Sequence, residues 1–195
     1  MFVLKAFSLA LVFACLALSF TDDQSERKQK SQSPSDGQMS QGAGLDSLRF
    51  LVGKWSGEGS GDAGQGSGYF TFEEGLQGKV LVRKNHAEYP ATKDRPAFTH
   101  DDLMVVYADP QTGRARAFYT DSEGHVINYD VRTPGDGKGV VFLSDPHEAG
   151  PRYRLTYALT QPDTIALTFE MATADQPDQF RKVIEGKVRK VSAVN

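Results

Sequence analysis

Four histidines offer the widest range of chemistry in this sequence, and they stand at His86, His100, His125 and His147. Their separations include no close metal-binding spacing such as His-x-x-x-His, so the sequence predicts no metal site. A set that only folding brings together stays open as an alternative. The run His100-Asp101-Asp102 could form an imidazole base that a carboxylate orients. Because both aspartates directly follow a proline-containing loop, we interpret them instead as solvated charges where a strand begins.

Other catalytic arrangements find little support. Glu73 and Glu74 are adjacent, and adjacent strand residues point to opposite faces, whereas paired-carboxylate catalysis needs both groups beside one bond. The sequence contains no Gly-x-Ser-x-Gly motif, and the glycines of residues 57–68 lack the following Lys-Ser/Thr of a phosphate loop. No catalytic residue is therefore predicted, and enzyme activity stays open without being the favoured interpretation.

The charge distribution does not indicate a nucleic-acid partner. The formal net charge is only -3. Four arginines alternate along two predicted strands, as outward-facing charges do, and they form no compact basic cluster with stacking aromatics. These arginines are Arg114, Arg116, Arg152 and Arg154.

The elements that must position these residues are short β-strands separated by regular turn clusters rich in Asp, Pro and Gly. The later strands alternate clearly between apolar and polar residues, as strands with one buried face do. We predict roughly ten strands, most joined by hairpins, and a short helical turn over Asp46–Val52 that caps the structure. An up-and-down antiparallel barrel is favoured because a flat sheet would expose two edges. The predicted strands begin near Gly53, Gly68, Lys79, Asp101, Arg114, Val126, Gly139, Pro151, Thr164 and Phe180.

The N-terminus is typical of a secretory signal peptide over residues 1–19. Lys5 supplies a positive charge, Ala6–Leu18 is apolar but too short to span a bilayer comfortably, and small residues precede the expected cleavage point after Ser19. We therefore expect a secreted or periplasmic protein. Leu11-Val12-Phe13-Ala14-Cys15 is similar to a lipobox, so lipid attachment at Cys15 stays open as an alternative.

The remaining chain divides in two. Residues 20–44 are rich in Ser, Gln, Asp and Lys, and this composition predicts a disordered polar tether. Residues 45–195 are the size of one domain and are predicted to form the barrel. An outer-membrane barrel would show the same alternation, but the aromatic girdles and terminal aromatic residue that such barrels carry are absent, so no membrane span is predicted.

One sequence pattern suggests a family. Phe50-Leu51-Val52-Gly53-x-Trp55-x-Gly57-x-Gly59, followed by Phe70-Thr71-Phe72-Glu73-Glu74, by Phe169-Glu170-Met171-Ala172 and by a strand over 183–191, resembles the nitrobindin-like barrels. It is also similar to uncharacterised bacterial calycin-like domains. The resemblance covers most of residues 45–191 and implies a ten-stranded, lipocalin-like barrel with a pocket for an apolar or planar ligand.

The resemblance also carries two residue-level expectations. In nitrobindins a histidine near the start of the last strand binds haem, and the alignment places Val183 there, which has no lone pair to offer iron. We therefore expect no haem cofactor, and retain a haem-binding nitrobindin-like protein only as an alternative. In a closed barrel Trp55 and Arg189 should be neighbours, with the guanidinium able to stack on the indole.

The favoured function is binding of a small apolar ligand inside the barrel, with Arg83 or Asn85 and tyrosine hydroxyls orienting an acid or carbonyl group. One alternative is an isomerase or cyclase that uses the same pocket, which requires a buried titratable group beside a cavity. Another is a ligand-free interaction module with a filled barrel and an exposed apolar patch. The oligomeric state is not predicted. The expected ligand-binding residues are Trp55, Phe70, Phe72, Arg83, Tyr107, Tyr119, Tyr129, Tyr157, Phe169 and Met171.

Overall fold

The computed structural model describes residues 39–40, 44–62, 64–146 and 150–192. The expected signal peptide, Cys15 and most of the expected tether lie outside these residues. Within the tether, the two-residue strand β1 (Met39–Ser40) pairs with Pro134 and Thr133. A 3-10 helix over Leu45–Leu51 follows, close to the predicted helical turn.

Ten longer strands follow, and the connections between them match the predicted turn clusters. The largest differences from the predicted starts are at the second and fourth of these ten strands, which begin earlier, at Gly66 and Phe98. In chain order the strands are β2 (Gly53–Gly61), β3 (Gly66–Gly75), β4 (Val80–Tyr89), β5 (Phe98–Ala108), β6 (Ala115–Asp121), β7 (Val126–Pro134), β8 (Gly139–Ser144), β9 (Arg152–Gln161), β10 (Thr164–Ala172) and β11 (Arg181–Lys190).

The strands form a closed up-and-down barrel. From β2 to β11 each strand pairs antiparallel with the next along the chain, and β11 pairs with β2 to close the ring. The prediction of a ten-stranded antiparallel barrel is therefore confirmed. Closure leaves no long unpaired strand edge among the ten, which is the physical reason that a meander of this length curls up.

The 3-10 helix closes one end of the barrel. Leu48 and Leu51 are completely buried, and so is Trp55 at the start of β2. The indole Nε1 donates a hydrogen bond of 2.7 Å to the backbone carbonyl of Leu51, which satisfies the polar atom of a buried ring. In the part of the chain that the structure describes, no helix is long and apolar enough to cross a membrane.

The closing strand brings a cation to Trp55, but not the expected one. Lys190 is the residue of β11 paired with Trp55, and its Nζ lies 5.3 Å from the centre of the indole ring. Arg189 pairs with Ser56 and is exposed, because neighbouring residues of a strand face opposite sides. The expected contact between Arg189 and Trp55 is therefore wrong, because the next residue, Lys190, takes that place. The expected pairing of the first and last barrel strands, β2 and β11, is right.

Glycines permit unusually close approach of the strands at the middle of β2, where Gly57 pairs with Gly68 of β3. A Cβ atom on Gly57 would lie 2.1 Å from the backbone oxygen of Lys187, and one on Gly68 would lie 2.2 Å from that of His86. No real Cβ atom tolerates such distances, and backbone atoms cannot rotate away. These positions of the barrel wall therefore require glycine.

Candidate ligand-binding site

A cavity of about 440 Å³ occupies the half of the barrel away from the 3-10 helix. Aromatic packing fills the other half, where Phe70, Phe72 and Tyr157 form tilted and edge-to-face contacts with one another. The volume falls within the range of about 300–1,000 Å³ that is usual for small-molecule sites. The barrel is therefore neither completely filled nor an open channel.

The two sides of the cavity differ in chemistry. Strands β2, β3 and β9–β11 contribute glycines and apolar side chains, among them Leu155, Leu167 and Phe169. The opposite side, from β4 to β7, carries the polar groups. They include Arg83, Asn85, His100, Asp102, Tyr119, Asp121 and Tyr129, with Glu123 and His125 at the open end.

A buried ion pair lies at the centre of the polar side. Arg83 Nη1 donates to Asp102 Oδ1, and the two side chains are only 5% and 4% exposed. Burial is the largest influence and lowers the pKa of Arg83, but attraction by Asp102 together with three nearby tyrosines outweighs it, so the arginine pKa lies above its usual value. The interpretation of Asp102 as a solvated charge is therefore wrong, because β5 begins earlier than predicted and carries this residue inside the barrel.

A polar network continues from this pair to the open end of the barrel. His100 Nε2 lies 3.3 Å from Asp102 Oδ2, and its Nδ1 lies 2.7 Å from Glu123 Oε2. The hydrogen bond with Asp102 raises the pKa of His100, burial opposes this, and the charge of Glu123 adds to the increase. Tyr119 connects His100 to Asp121, because its hydroxyl lies 3.3 Å from His100 Nε2 and 3.2 Å from Asp121 Oδ2.

The tight turn between β6 and β7 organises the far end of this network. Asp121 Oδ1 accepts hydrogen bonds from the backbone N–H groups of Glu123 and His125, and Asp121 Oδ2 lies 2.8 Å from His125 Nδ1. Gly124 permits the turn with a φ of 89°. Burial favours a protonated Asp121, but these bonds to His125 prevail and hold its pKa below the usual value.

The cavity tyrosines are protonated donors at neutral pH. Burial raises the pKa of Tyr119 and of Tyr129, and the carboxylate of Asp102 adds to both increases. Burial also raises the pKa of Tyr157 to about 12, although Arg83 opposes it. Neither the Tyr157 hydroxyl nor Arg83 Nε has a hydrogen-bond partner among the described residues.

His86 lies outside this network. It alternates with Arg83, Asn85 and Ala87 along β4, which places its ring on the outer face, where it packs at a tilt against Tyr69 with the ring centres 5.6 Å apart. Its Nδ1 lies 2.7 Å from Asp101 and its Nε2 3.2 Å from Glu88. Hydrogen bonds to Asp101 and then Glu88 raise the His86 pKa. His147 falls outside the described residues.

The ten expected binding residues divide into three groups. Phe70, Arg83, Tyr119, Tyr129 and Phe169 line the cavity. Trp55, Phe72 and Tyr157 are completely buried in the aromatic packing beside it. The third group, Tyr107 and Met171, does not line it.

The reasons for these two exceptions are local. Tyr107 alternates with the buried Met104 and Val106, so its side chain belongs to the outer face, and the expectation that it converges on the interior is wrong. Met171 follows a register shift of β10 against β11 after Phe169, and the cavity ends before it. Val183, the position at which the resemblance places a haem ligand, does not line the cavity either.

Sequence reasoning missed the network of the β5 strand and the β6–β7 turn. His100 is far in sequence from Asp121, Glu123 and His125, and only the barrel register brings it to them. A usable signal was present in the alternation of Asp121, Glu123 and His125 across a turn, since this spacing places several donors at one strand end.

Comparisons with known proteins show the fold and no more. No protein-family model matches the chain, and no curated protein matches its sequence. The structure of Rv2717c from M. tuberculosis is similar with a TM-score of 0.51 and 13% identity, covering 76% of this chain and 97% of that one. The S-type phycobiliprotein lyase CPES from Guillardia theta has a TM-score of 0.47 and 7% identity, over 78% and 95% of the two chains. At such identities no family membership follows.

Proposed function

We propose that this protein binds a small apolar ligand bearing an oxygen-containing polar group inside its barrel. The observation that carries the proposal is the cavity of about 440 Å³ that remains beside a well-packed aromatic core. A barrel that served only as a scaffold would gain stability from filling this space, because interiors of proteins pack closely. The calycin-like resemblance of the sequence agrees with the same proposal.

The two-sided lining defines the ligand chemistry. The apolar body of the ligand would contact Leu155, Leu167 and Phe169, while its polar group would face Arg83 and Asn85. The charge of Arg83 is already compensated by Asp102, so the ligand needs a hydrogen-bond acceptor rather than a full negative charge. A carbonyl compound or a protonated acid meets this requirement.

Binding can be tested with a cavity-filling variant. Ala87 lines the cavity, whereas Ala158 lies on the outer face of β9, next to the inward Tyr157. Fluorescence titration with 6-propionyl-2-(dimethylamino)naphthalene, a neutral aromatic ketone, should give saturable binding to the unmodified protein and to Ala158→Phe, and much weaker binding to Ala87→Phe. Equal binding by the two variants would exclude the cavity as the site.

The natural ligand requires a different measurement. Native mass spectrometry of protein purified from its own host should show an additional mass that organic extraction removes. Fully apo protein in the native spectrum, together with failure of the fluorophore titration, would contradict the proposed function.

The proposal includes export from the cytoplasm. Residues 1–19 have the features of a cleaved signal peptide, so the mature chain should begin near Phe20 or Thr21 and carry no lipid. Intact-mass measurement of the protein from its host tests both points. A mature chain that begins at an acylated Cys15 would instead establish lipid anchoring to a membrane.

We do not include haem in the proposed function. The valine at position 183 has no donor atom and is not among the residues lining the cavity, so it does not fit an iron ligand. Titration with hemin should give no sharp one-to-one endpoint. If a histidine-ligated spectrum forms, His100→Gln and His125→Gln are the first variants to test because both residues line the cavity, and His86→Gln follows as the variant on the outer face. The nitrobindin-like alternative would then replace the proposal.

An enzyme is a second candidate, and one observation favours it. The buried Asp102 beside the cavity meets the requirement for a titratable group there, and it contacts His100 Nε2. With its raised pKa, His100 could donate a proton to a carbonyl oxygen of the ligand and recover it later, as an isomerase requires. Conversion of the co-purified ligand by the unmodified protein, and not by His100→Gln, would establish this function.

A further inference from the structure

The open end of the cavity gathers one imidazole and two carboxylates that the proposed apolar ligand does not use. One ligand atom from each of His100, Asp121 and Glu123 lies within 4.8 Å of the other two. His100 comes from β5, Asp121 is the last residue of the neighbouring strand β6, and Glu123 lies in the turn that follows it. The set is therefore held by a paired strand and a tight turn, and does not depend on one long flexible loop.

Neighbouring groups orient two of these three side chains. Asp102 Oδ2 lies 3.3 Å from His100 Nε2, which leaves Nδ1 directed at Glu123. The imidazole of His125 lies 2.8 Å from Asp121. A carboxylate on the far nitrogen of a histidine and a polar group behind a coordinating carboxylate are the usual outer partners of metal ligands.

We propose that His100, Asp121 and Glu123 bind a divalent transition-metal ion of the zinc type at the open end of the barrel. One imidazole nitrogen and two carboxylate oxygens are a donor set that zinc accepts, and three protein ligands leave a fourth position open. The two carboxylates also supply the two negative charges that balance such an ion.

The contacts that the ion would replace are weak ones. The pair of His100 and Glu123 is partly solvent-exposed, with the Glu123 side chain 41% exposed, and exposed ion pairs contribute little to stability. Tyr119 contacts both Asp121 and His100 at more than 3 Å, so its hydroxyl is the least tightly held group around Asp121 Oδ2. An ion can therefore enter without breaking the buried pair of Arg83 and Asp102.

The test uses the full chain after treatment with EDTA and desalting, without any apolar ligand. Isothermal titration with Zn²⁺ should show one ion per chain, and Co²⁺ should give the visible absorption bands of a protein-bound ion. Glu123→Gln and His100→Gln remove ligands and should weaken binding by more than about 100-fold, because even loss of an outer partner costs about 10–100-fold. His125→Gln, which removes such a partner, should fall in that lower range.

His86→Gln is the matched control. His86 also contacts two carboxylates, Asp101 and Glu88, but it lies on the outer face and outside the cluster. This variant should bind Zn²⁺ like the unmodified protein. Tryptophan fluorescence and circular dichroism confirm that each variant is folded.

Two results would overturn the metal site. One is the absence of saturable uptake of Zn²⁺ and Co²⁺ by the unmodified, folded protein. The other is uptake that Glu123→Gln and His100→Gln leave unchanged, or that His86→Gln weakens equally. Binding of the fluorophore by Glu123→Gln is measured in parallel, so failure of the metal site and failure of the proposed ligand cavity are distinguishable.

Discussion

The buried pair of Arg83 and Asp102 allows the sharpest test of how this barrel is built. Replacing Arg83 with methionine keeps most of the side-chain volume but leaves a carboxylate that is only 4% exposed without its counter-charge. Breaking a buried pair in this way typically costs about 3–5 kcal/mol. Because His100 Nε2 still lies 3.3 Å from Asp102, we expect the lower end of that range, near 3 kcal/mol.

The double variant Arg83→Met, Asp102→Leu separates charge from packing. Removing both charges also removes the cost of keeping them out of water, so it should recover most of the stability that Arg83→Met loses. Urea unfolding followed by fluorescence of Trp55, the only tryptophan, gives the free energy of each variant. The reasoning would be refuted if the single variant lost less than about 1 kcal/mol, or if the double variant were no more stable than the single one.

Three further predictions concern other parts of the barrel. Trp55→Ala should lower the free energy of unfolding by about 3–5 kcal/mol, measured by circular dichroism, because the ring is completely buried, whereas Lys190→Met should change it by no more than about 1 kcal/mol. Gly57→Ala should lower the free energy of unfolding by about 1–3 kcal/mol, because its Cβ would lie 2.1 Å from the Lys187 carbonyl oxygen. Gly44→Ala is the control, since its Cβ would meet nothing within 4 Å, and it should stay within about 0.5 kcal/mol of the unmodified protein. Similar losses for both variants would contradict the packing argument. The pKa of His86 is raised in the folded protein, so its ion pairs stabilise the fold below the unfolded pKa of about 6.5 and lose this effect as the pH rises through the folded pKa. The Tm difference between the unmodified protein and His86→Gln should therefore shrink from about pH 5.5 to pH 8. A difference that grows with pH would show that the assigned sign is wrong.

The barrel itself was predictable because its signals are local. Asp, Pro and Gly clusters mark each hairpin, and alternation within single strands indicates the buried face, so a ten-stranded barrel follows without knowledge of distant contacts. The 3-10 helix before Trp55 was also predictable from its short apolar run. The residue expected beside Trp55 was wrong by only one position, Arg189 instead of Lys190, because strand register decides which of two adjacent residues faces the ring.

The polar side of the cavity was less predictable because the environment of each polar side chain depends on which residue of the neighbouring strand lies beside it. Arg83 follows the apolar residues 80–82 at the start of β4 and was expected to face inward, but its partner Asp102 lies on a neighbouring strand whose start was predicted too late. His100 and Glu123 approach each other only through the register of β5 and β6 and the turn that follows. The local spacing of Asp121, Glu123 and His125 indicates a polar strand end, but it does not show that His100 is their neighbour.

The contact of β11 with β2 gives the chain a circular order of strands. Every strand of the ring, including β2 and β11, is paired with its neighbours in this order, and no crossover connection joins distant strands. Joining the region after Lys190 to the region before Gly53 with a linker and opening another hairpin would therefore preserve all ten strand pairings. Circularly permuted versions opened in the loop between β4 and β5 would place the new chain ends beside the cavity, because Tyr89 and Phe98 at the two ends of that loop line it, and a fused reporter there would sense ligand or metal binding.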